Sequence, residues 1–276
     1  MKKSLLAVAG LVMLPATAFA SGPEMGLSEP EVMAPAPAPA AAPGLIFTLR
    51  AGLGAGPEYF GSDTLKAGPD FAFSLNYLRL PGSMALGNAD PSAVAYGFAP
   101  RGSFRIVQKR SADDYAELTG LEDVDLSVEI GMGLGYTAEN FEAFGDLRYG
   151  AIGHHSWVGE LGANLIMRPN DKLTLKVGPR VLAADSGYAN TYFGVTADES
   201  TASGGDLAAY DAKGGAMSVG MELGMTYALT EDWGIDGAVR WDQYVGGAKD
   251  SPIVAQGSDT QTTLRIGLTR RFTLNF

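Results

Sequence analysis

The chain has 276 residues, no cysteine and a formal net charge of −11 at pH 7. The missing thiols exclude disulfides, thiolate metal sites and a lipid-anchored N-terminus, and the acidic balance argues against nucleic acid as a partner. After the N-terminal segment no apolar run approaches the ~18–20 residues that a membrane-spanning helix needs.

Lys2 and Lys3 precede a short apolar stretch, Leu5 to Leu14, and the small-residue site Ala18-Phe19-Ala20. This reads as an export signal over residues 1–20, cleaved before Ser21. Residues 21–43 hold Glu29-Pro30-Glu31 and a Pro-Ala run from Ala34 to Pro43. Such a run has no core-forming side chains and favours extended polyproline II, so a periplasmic tether or disordered spacer is expected.

From residue 44 to 276 the dominant signal has period two. Between Val124 and Tyr136 every even position is apolar and every odd one is acidic, Ser or Gly. A strand sends alternate side chains to opposite faces, so this strand has one apolar and one polar face. Met217, Val219, Met221, Leu223 and Met225 repeat the pattern against Ser218, Gly220, Glu222 and Gly224. Strands are expected over 45–56, 66–80, 93–108, 124–137, 140–150, 156–168, 171–184, 216–229, 233–245 and 260–275. Their length suits tilted membrane strands of about 9–11 residues or more. Short turns (138–140, 169–171, 230–232) alternate with longer links, notably 185–215 and 246–259. The fold class predicted is all-β, a transmembrane antiparallel up-and-down β-barrel of about ten strands, with twelve if 188–196 and 206–212 also pair. Short turns and both termini then face the periplasm.

The inward positions carry charges of both signs: Arg50, Arg105, Arg148, Lys172, Lys176, Arg180, Arg240, Arg265 and Arg271 against Asp125, Glu129, Glu142, Asp146, Glu160, Glu222, Asp236 and Asp242. Unpaired, these would be costly in a confined interior, so a paired network and a closed or narrow lumen are expected. Trp233, Tyr136, Phe141 and Tyr227 near the short turns, and Tyr149, Trp157, Tyr188 and Tyr244 near the outer rim, suggest two aromatic girdles. Arg270 falls on the lipid face and should sit near an interface. The inward glycines make room for charged neighbours.

No nucleophile motif, phosphate loop or dinucleotide fingerprint is evident, so no catalytic, cofactor-binding or metal residues are assigned. Asp113, Asp114, His154 and His155 lie on the outer side, where a histidine paired with carboxylates could activate water. They read more simply as polar loop residues. The 185–215 link, with Asp185, Asp198, Glu199, Asp206 and Asp211 against Lys213, reads as a solvated acidic loop, or as a site for cations that bridge lipopolysaccharide.

Four segments carry a family resemblance: Gly56-Pro57-Glu58-Tyr59-Phe60-Gly61-Ser62-Asp63, Leu118-Thr119-Gly120-Leu121 with Val124-Asp125, Tyr192-Phe193-Gly194-Val195, and Arg271-Phe272-Thr273-Leu274-Asn275-Phe276. In this order the chain resembles the MltA-interacting protein/OmpV family of outer-membrane proteins over about 44–276. The resemblance implies contact with outer-membrane lipid and lipopolysaccharide. It also implies a non-enzymatic scaffold that holds a lytic transglycosylase and a penicillin-binding protein on the periplasmic side for peptidoglycan synthesis and remodelling. Other members suggest a narrow channel for small solutes or a surface adhesin. The resemblance supplies no catalytic residues, and the Pro-Ala tether is not part of it.

Overall fold

The computed structural model describes residues 18–19, 44–80, 86–87 and 96–275. Apart from Ala18–Phe19, the expected signal and tether lie outside the described residues, as does Phe276.

Ten strands of 11 to 16 residues form the wall: β1 Gly44–Pro57, β2 Leu65–Arg79, β3 Gly97–Val107, β4 Ser127–Thr137, β5 Phe141–Ile152, β6 Trp157–Asn170, β7 Leu173–Ala184, β8 Gly215–Ala228, β9 Trp233–Tyr244 and β10 Thr260–Asn275. Each follows an expected alternating segment, with ends within a few residues. All pairings are antiparallel, and the sheet order is β2-β1-β10-β9-β8-β7-β6-β5-β4-β3. The first and last long strands are zipped together, from Leu264 opposite Ala55 to Asn275 opposite Gly44. The outermost long strands of the sheet are therefore β2 and β3, and no ladder joins them among the described residues. Two-residue strands Ala18–Phe19 and Leu86–Gly87 pair along β2.

The twelve-strand alternative does not hold. Residues 186–193 are helical, and 195 meets 210 in a single bridge. In Ser186–Phe193 the apolar residues recur at helical spacing, so Tyr188, Ala189, Tyr192 and Phe193 come together on one buried side.

The wall is inside-out. Leu53, Met132, Leu134, Leu161, Leu165, Leu223, Ile266 and Leu268 are exposed on the outer face, while Arg50, Glu129, Arg148, Arg180 and Asp242 are buried on the inner face. A soluble sheet buries its apolar face. This arrangement lowers the free energy only where the outer surroundings are hydrocarbon. No helix among the described residues is long and apolar enough to cross a membrane, which says nothing against crossing by strands.

Aromatic rings mark the two rims. Tyr149 and Trp157 pack in tilted contact near the loop end at 5.1 Å, and Phe98 and Tyr136 likewise at 4.9 Å near the short-turn end. Arg270 lies over the rings of Trp233 and Phe272, at 5.0 and 4.8 Å. A cation on an aromatic belt at the rim avoids the cost of mid-bilayer charge. Tyr188 and Tyr244 do not join the girdle. Both are buried inside the loop end: Tyr188 lies on a helix folded over the mouth, and Tyr244 ends β9 on the inward face it shares with Arg240 and Asp242. Met217 is likewise buried and does not share the outer face of Val219 and Met221. A register shift between Ala216 and Ser218 flips its side.

Candidate functional site: a plugged lumen and a folded outer cap

Inside the wall, carboxylates and guanidinium groups form a chain across the lumen. Arg105 on β3 meets Glu129 on β4 through Nη2 and Oε1 at 2.6 Å and through Nε and Oε2 at 2.9 Å. Arg148 on β5 bonds Glu129 at 3.0 Å and Glu160 on β6 at 3.1 Å. Glu160 then accepts from Arg240 on β9 at 2.6 Å, and Arg240 holds Asp242 at 2.6 Å. β6 and β9 are three strands apart around the wall, so the Glu160–Arg240 contact spans the lumen. The two-pronged guanidinium suits this role, since it bridges two carboxylates at once.

Nearer the short-turn end, Glu222 joins Arg180 at 3.3 Å and Arg265 at 3.5 Å, Arg50 joins Asp70 at 2.8 Å and Asp236 at 2.5 Å, and Lys176 joins Glu142. Arg101 pairs with Asp146 at 3.1 Å and stacks 4.0 Å over the Phe144 ring. Below this layer a polar vestibule of about 320 Å³ opens toward the short turns, lined in part by Arg50, Lys176, Glu222, Asp236, Arg265 and Arg271. The expected network is thus largely present. Asp125 and Lys172 are not part of it: both are exposed, Asp125 ahead of the first residue of β4 and Lys172 in the turn before β7. Asp70 and Arg101 join it without having been anticipated.

Inward glycines permit this density. A Cβ at Gly133 would lie 2.0 Å from Asp146 Oδ1, and one at Gly150 would lie 2.4 Å from the His154 ring.

The loop end is closed by a folded cap rather than a solvated loop. α1 (Ser186–Phe193) is N-capped by Asp185, which accepts from Tyr188 N at 2.9 Å. α2 (Ala197–Ala202) starts with a capping box between Thr196 and Glu199. Burial opposes ionisation of Glu199, but backbone N–H groups of Glu122 and Thr196 outweigh it and hold the carboxyl below its ordinary range. α3 (Gly246–Lys249) and α4 (Pro252–Ala255) come from the last loop. Phe60, Tyr188, Tyr192, Phe193, Tyr244 and Val254 form one apolar core, and Tyr59, Leu118, Leu121, Val195, Leu207 and Ile253 form a second.

The cap is tied to the plug. Tyr188 Oη accepts from Arg105 at 2.9 Å, and Tyr192 Oη donates to Ser127 Oγ at 2.9 Å. Burial raises the Tyr192 phenol above its usual range, so it stays a donor. It is also tied across the outermost strands, where Tyr59, after β1, donates to Glu117, after β3, at 2.8 Å.

A family model described as MltA-interacting protein MipA matches residues 49–272. The chain belongs to the MipA family. Among solved structures, this MipA-family chain is similar to the outer membrane channel DcaP of Acinetobacter baumannii, with 8% identity over 85% of this chain and 96% of that one and a TM-score of 0.31. It is also similar to an engineered Rh. blastica porin, with 10% identity over 83% of this chain and 99% of that one and a TM-score of 0.26. No curated protein sequence is a significant match. In this MipA-family structure three of the four segments behind the resemblance converge on the cap: Tyr59 and Phe60, Leu118 and Leu121, and Tyr192, Phe193 and Val195 fill its two cores. Gly61 at φ 97° packs on Val254, and Gly120 at φ 93° packs on Ser203, where a side chain has neither conformation nor room.

The outer histidines and carboxylates do not assemble. His154 has a fully buried side chain, and Ser156 N donates to its Nδ1, which directs Nε2 at Glu129 Oε1, 3.3 Å away. His155 sits exposed at φ 49°, and Asp113 and Asp114 are exposed in a 3₁₀ turn. Among the described residues no group of three or more His, Cys, Asp or Glu could hold a metal ion.

Proposed function

We propose that this MipA-family barrel resides in the outer membrane as a non-enzymatic scaffold for peptidoglycan enzymes, docking them at its periplasmic, short-turn end. The observation that carries this reading is the obstructed lumen, crossed by the Glu129–Arg148–Glu160–Arg240 chain and covered at the loop end by the cap. An interior so crossed by ion pairs is a poor conduit, which supports a use for its rims. The family description supports a lytic transglycosylase as one partner; a penicillin-binding protein is the second, and lipopolysaccharide surrounds the outer rim. On this reading residues 1–20 are removed on export. The 21–43 segment then extends the periplasmic rim as a tether of about 3.1 Å per residue.

The test has two arms. The refolded protein in a planar bilayer should be electrically silent, and affinity capture from envelope membranes should recover a transglycosylase. Discrete ion-selective steps would replace scaffolding with a narrow channel, and capture that recovers no wall enzyme would sink the scaffold.

A further inference from the structure

On the outer side of the cap lies a second cavity, of about 780 Å³, between the 108–126 loop and the segment carrying α1 and α2. Gly153 and His154 line its floor, next to the plug, and it does not depend on the scaffold reading. Its lining includes Arg110 and five carboxylates, those of Glu122, Asp123, Asp125, Glu199 and Asp211.

Arg110 is the unusual member. The backbone fixes it, because Arg110 and Val124 exchange both N–H···O bonds, at 2.9 and 2.8 Å. The residue is only 8% exposed, and Glu199 and Asp123 act on it through space without an ion-pair contact among the described residues. Nη1 and Nη2 reach only the carbonyls of Tyr192 and Glu122, at 3.3 and 3.5 Å, and Nε has no partner. A buried guanidinium without a contacting anion is costly, and elsewhere in this protein buried arginines touch carboxylates.

The carboxylates divide into two sets. Asp123 is spent on Ala112 N and Ser111 Oγ, Glu199 on the backbone of Glu122 and Thr196, and Asp211 on Lys213 and Asn190. The side chains of Glu122 and Asp125 are exposed and have no such partner among the described residues. A simple anion would meet Arg110 but be repelled by the rim. A simple cation would suit the rim and leave Arg110 unmatched. A molecule with an anionic end and an ammonium end satisfies both.

We propose that this cavity binds a small zwitterion, its carboxylate or phosphate at Arg110 and its ammonium at Glu122 and Asp125. The volume accommodates a peptide of a few residues, within the ~300–1,000 Å³ of ordinary ligand sites. Such chemistry comes from short free peptides or from phosphoethanolamine headgroups, and soluble probes separate the two.

The experiment is calorimetric titration of the refolded full-length protein with trialanine, its C-terminal amide, its N-acetyl form and O-phosphoethanolamine. Binding of trialanine or of O-phosphoethanolamine supports the site and identifies the source. For trialanine, either blocked form should bind at least tenfold more weakly. Arg110→Gln should remove binding of the favoured probe, and the exposed pair Glu122→Gln with Asp125→Asn should weaken it at least threefold while cap protease resistance is kept. Should Arg110→Gln misfold, the blocked peptides and the rim pair carry the test. Failure of both unblocked probes to bind, equal binding of the blocked forms, or indifference to the rim pair would overturn the proposal.

Discussion

In the wall, Leu53, Met132 and Leu161 face outward and Glu129, Arg148 and Arg180 face inward. In the cap, Phe60, Tyr192 and Phe193 are inside and Glu117 and Asp198 outside. One chain thus runs two opposite rules of burial, and each region takes the polarity of its interior from what surrounds it. Hydrocarbon around the wall leaves the polar side chains only the lumen, where they must neutralise one another. Water around the cap makes apolar burial favourable in the ordinary sense. The two interiors meet where Tyr188 accepts from Arg105, a guanidinium of the plug held by a phenol of the cap.

Substitutions of opposite chemistry should separate the regions. The largest effect is expected at Glu129, where Glu129→Leu leaves Arg105 and Arg148 short of an anion in a buried site and should cost about 3–5 kcal/mol. Unfolding of the barrel in detergent or vesicles checks this, and a cost below about 1 kcal/mol would mean that water compensates the arginines. Phe193→Ala removes a fully buried ring and should cost the cap about 3–5 kcal/mol. The readout is regional: the outer loops become open to protease while the barrel keeps its heat-sensitive gel mobility. Loss of both together would show that wall and cap fold as one unit.

Leu223→Arg, on the outer face of β8, should cost about 2–4 kcal/mol if it lies near mid-bilayer. The same change in a soluble sheet would be nearly neutral, so this variant tests the inside-out assignment directly. Gly133→Ala brings a methyl against Asp146 and the Gly145 carbonyl and should cost about 1–3 kcal/mol through displacement of the Arg101 pair and a local shift of the β4–β5 ladder.

The smallest effect concerns pH. The folded-state pKa of Glu199 is depressed, so its contribution is present above the unfolded glutamate value of about 4.3 and is lost as pH falls through the folded value. Because the group is only partly buried and screened by water, the stake is about a few tenths of a kcal/mol. Glu199→Gln should flatten the acid limb of cap protease sensitivity and leave neutral pH almost unchanged.

The wall was legible in the sequence because period two survives wherever a strand has lipid on one side and a lumen on the other. It failed at local breaks of that period. Met217 sits at a register shift, and Asp125 lies before its strand begins. Asp70 and Arg101 each follow a proline, Pro69 and Pro100, in strands whose alternation is irregular. The cap was not legible as a fold. Tyr59, Phe60, Leu118, Tyr192 and Phe193 come from three loops, and no local period brings them together. Their trace was the set of short motifs behind the family resemblance, which signalled a relation without signalling a shape. Arg110 left no trace, since a lone basic residue before a loop shows its missing partner only in three dimensions.

The sheet has its outermost long strands, β2 and β3, in mid-sequence, while Gly44 and Asn275 lie opposite each other in register. The sequence is therefore spliced at a point unrelated to the spatial order of its strands. A circular permutant beginning at residue 97, joined by a short linker from residue 275 to residue 44 and ending at residue 80, would traverse the ten strands as one unbroken meander from edge to edge. Its new ends would fall at the two edges of the sheet, with only the two-residue pairings along β2 lost, so the order of the strands in space does not dictate the order in which the chain visits them.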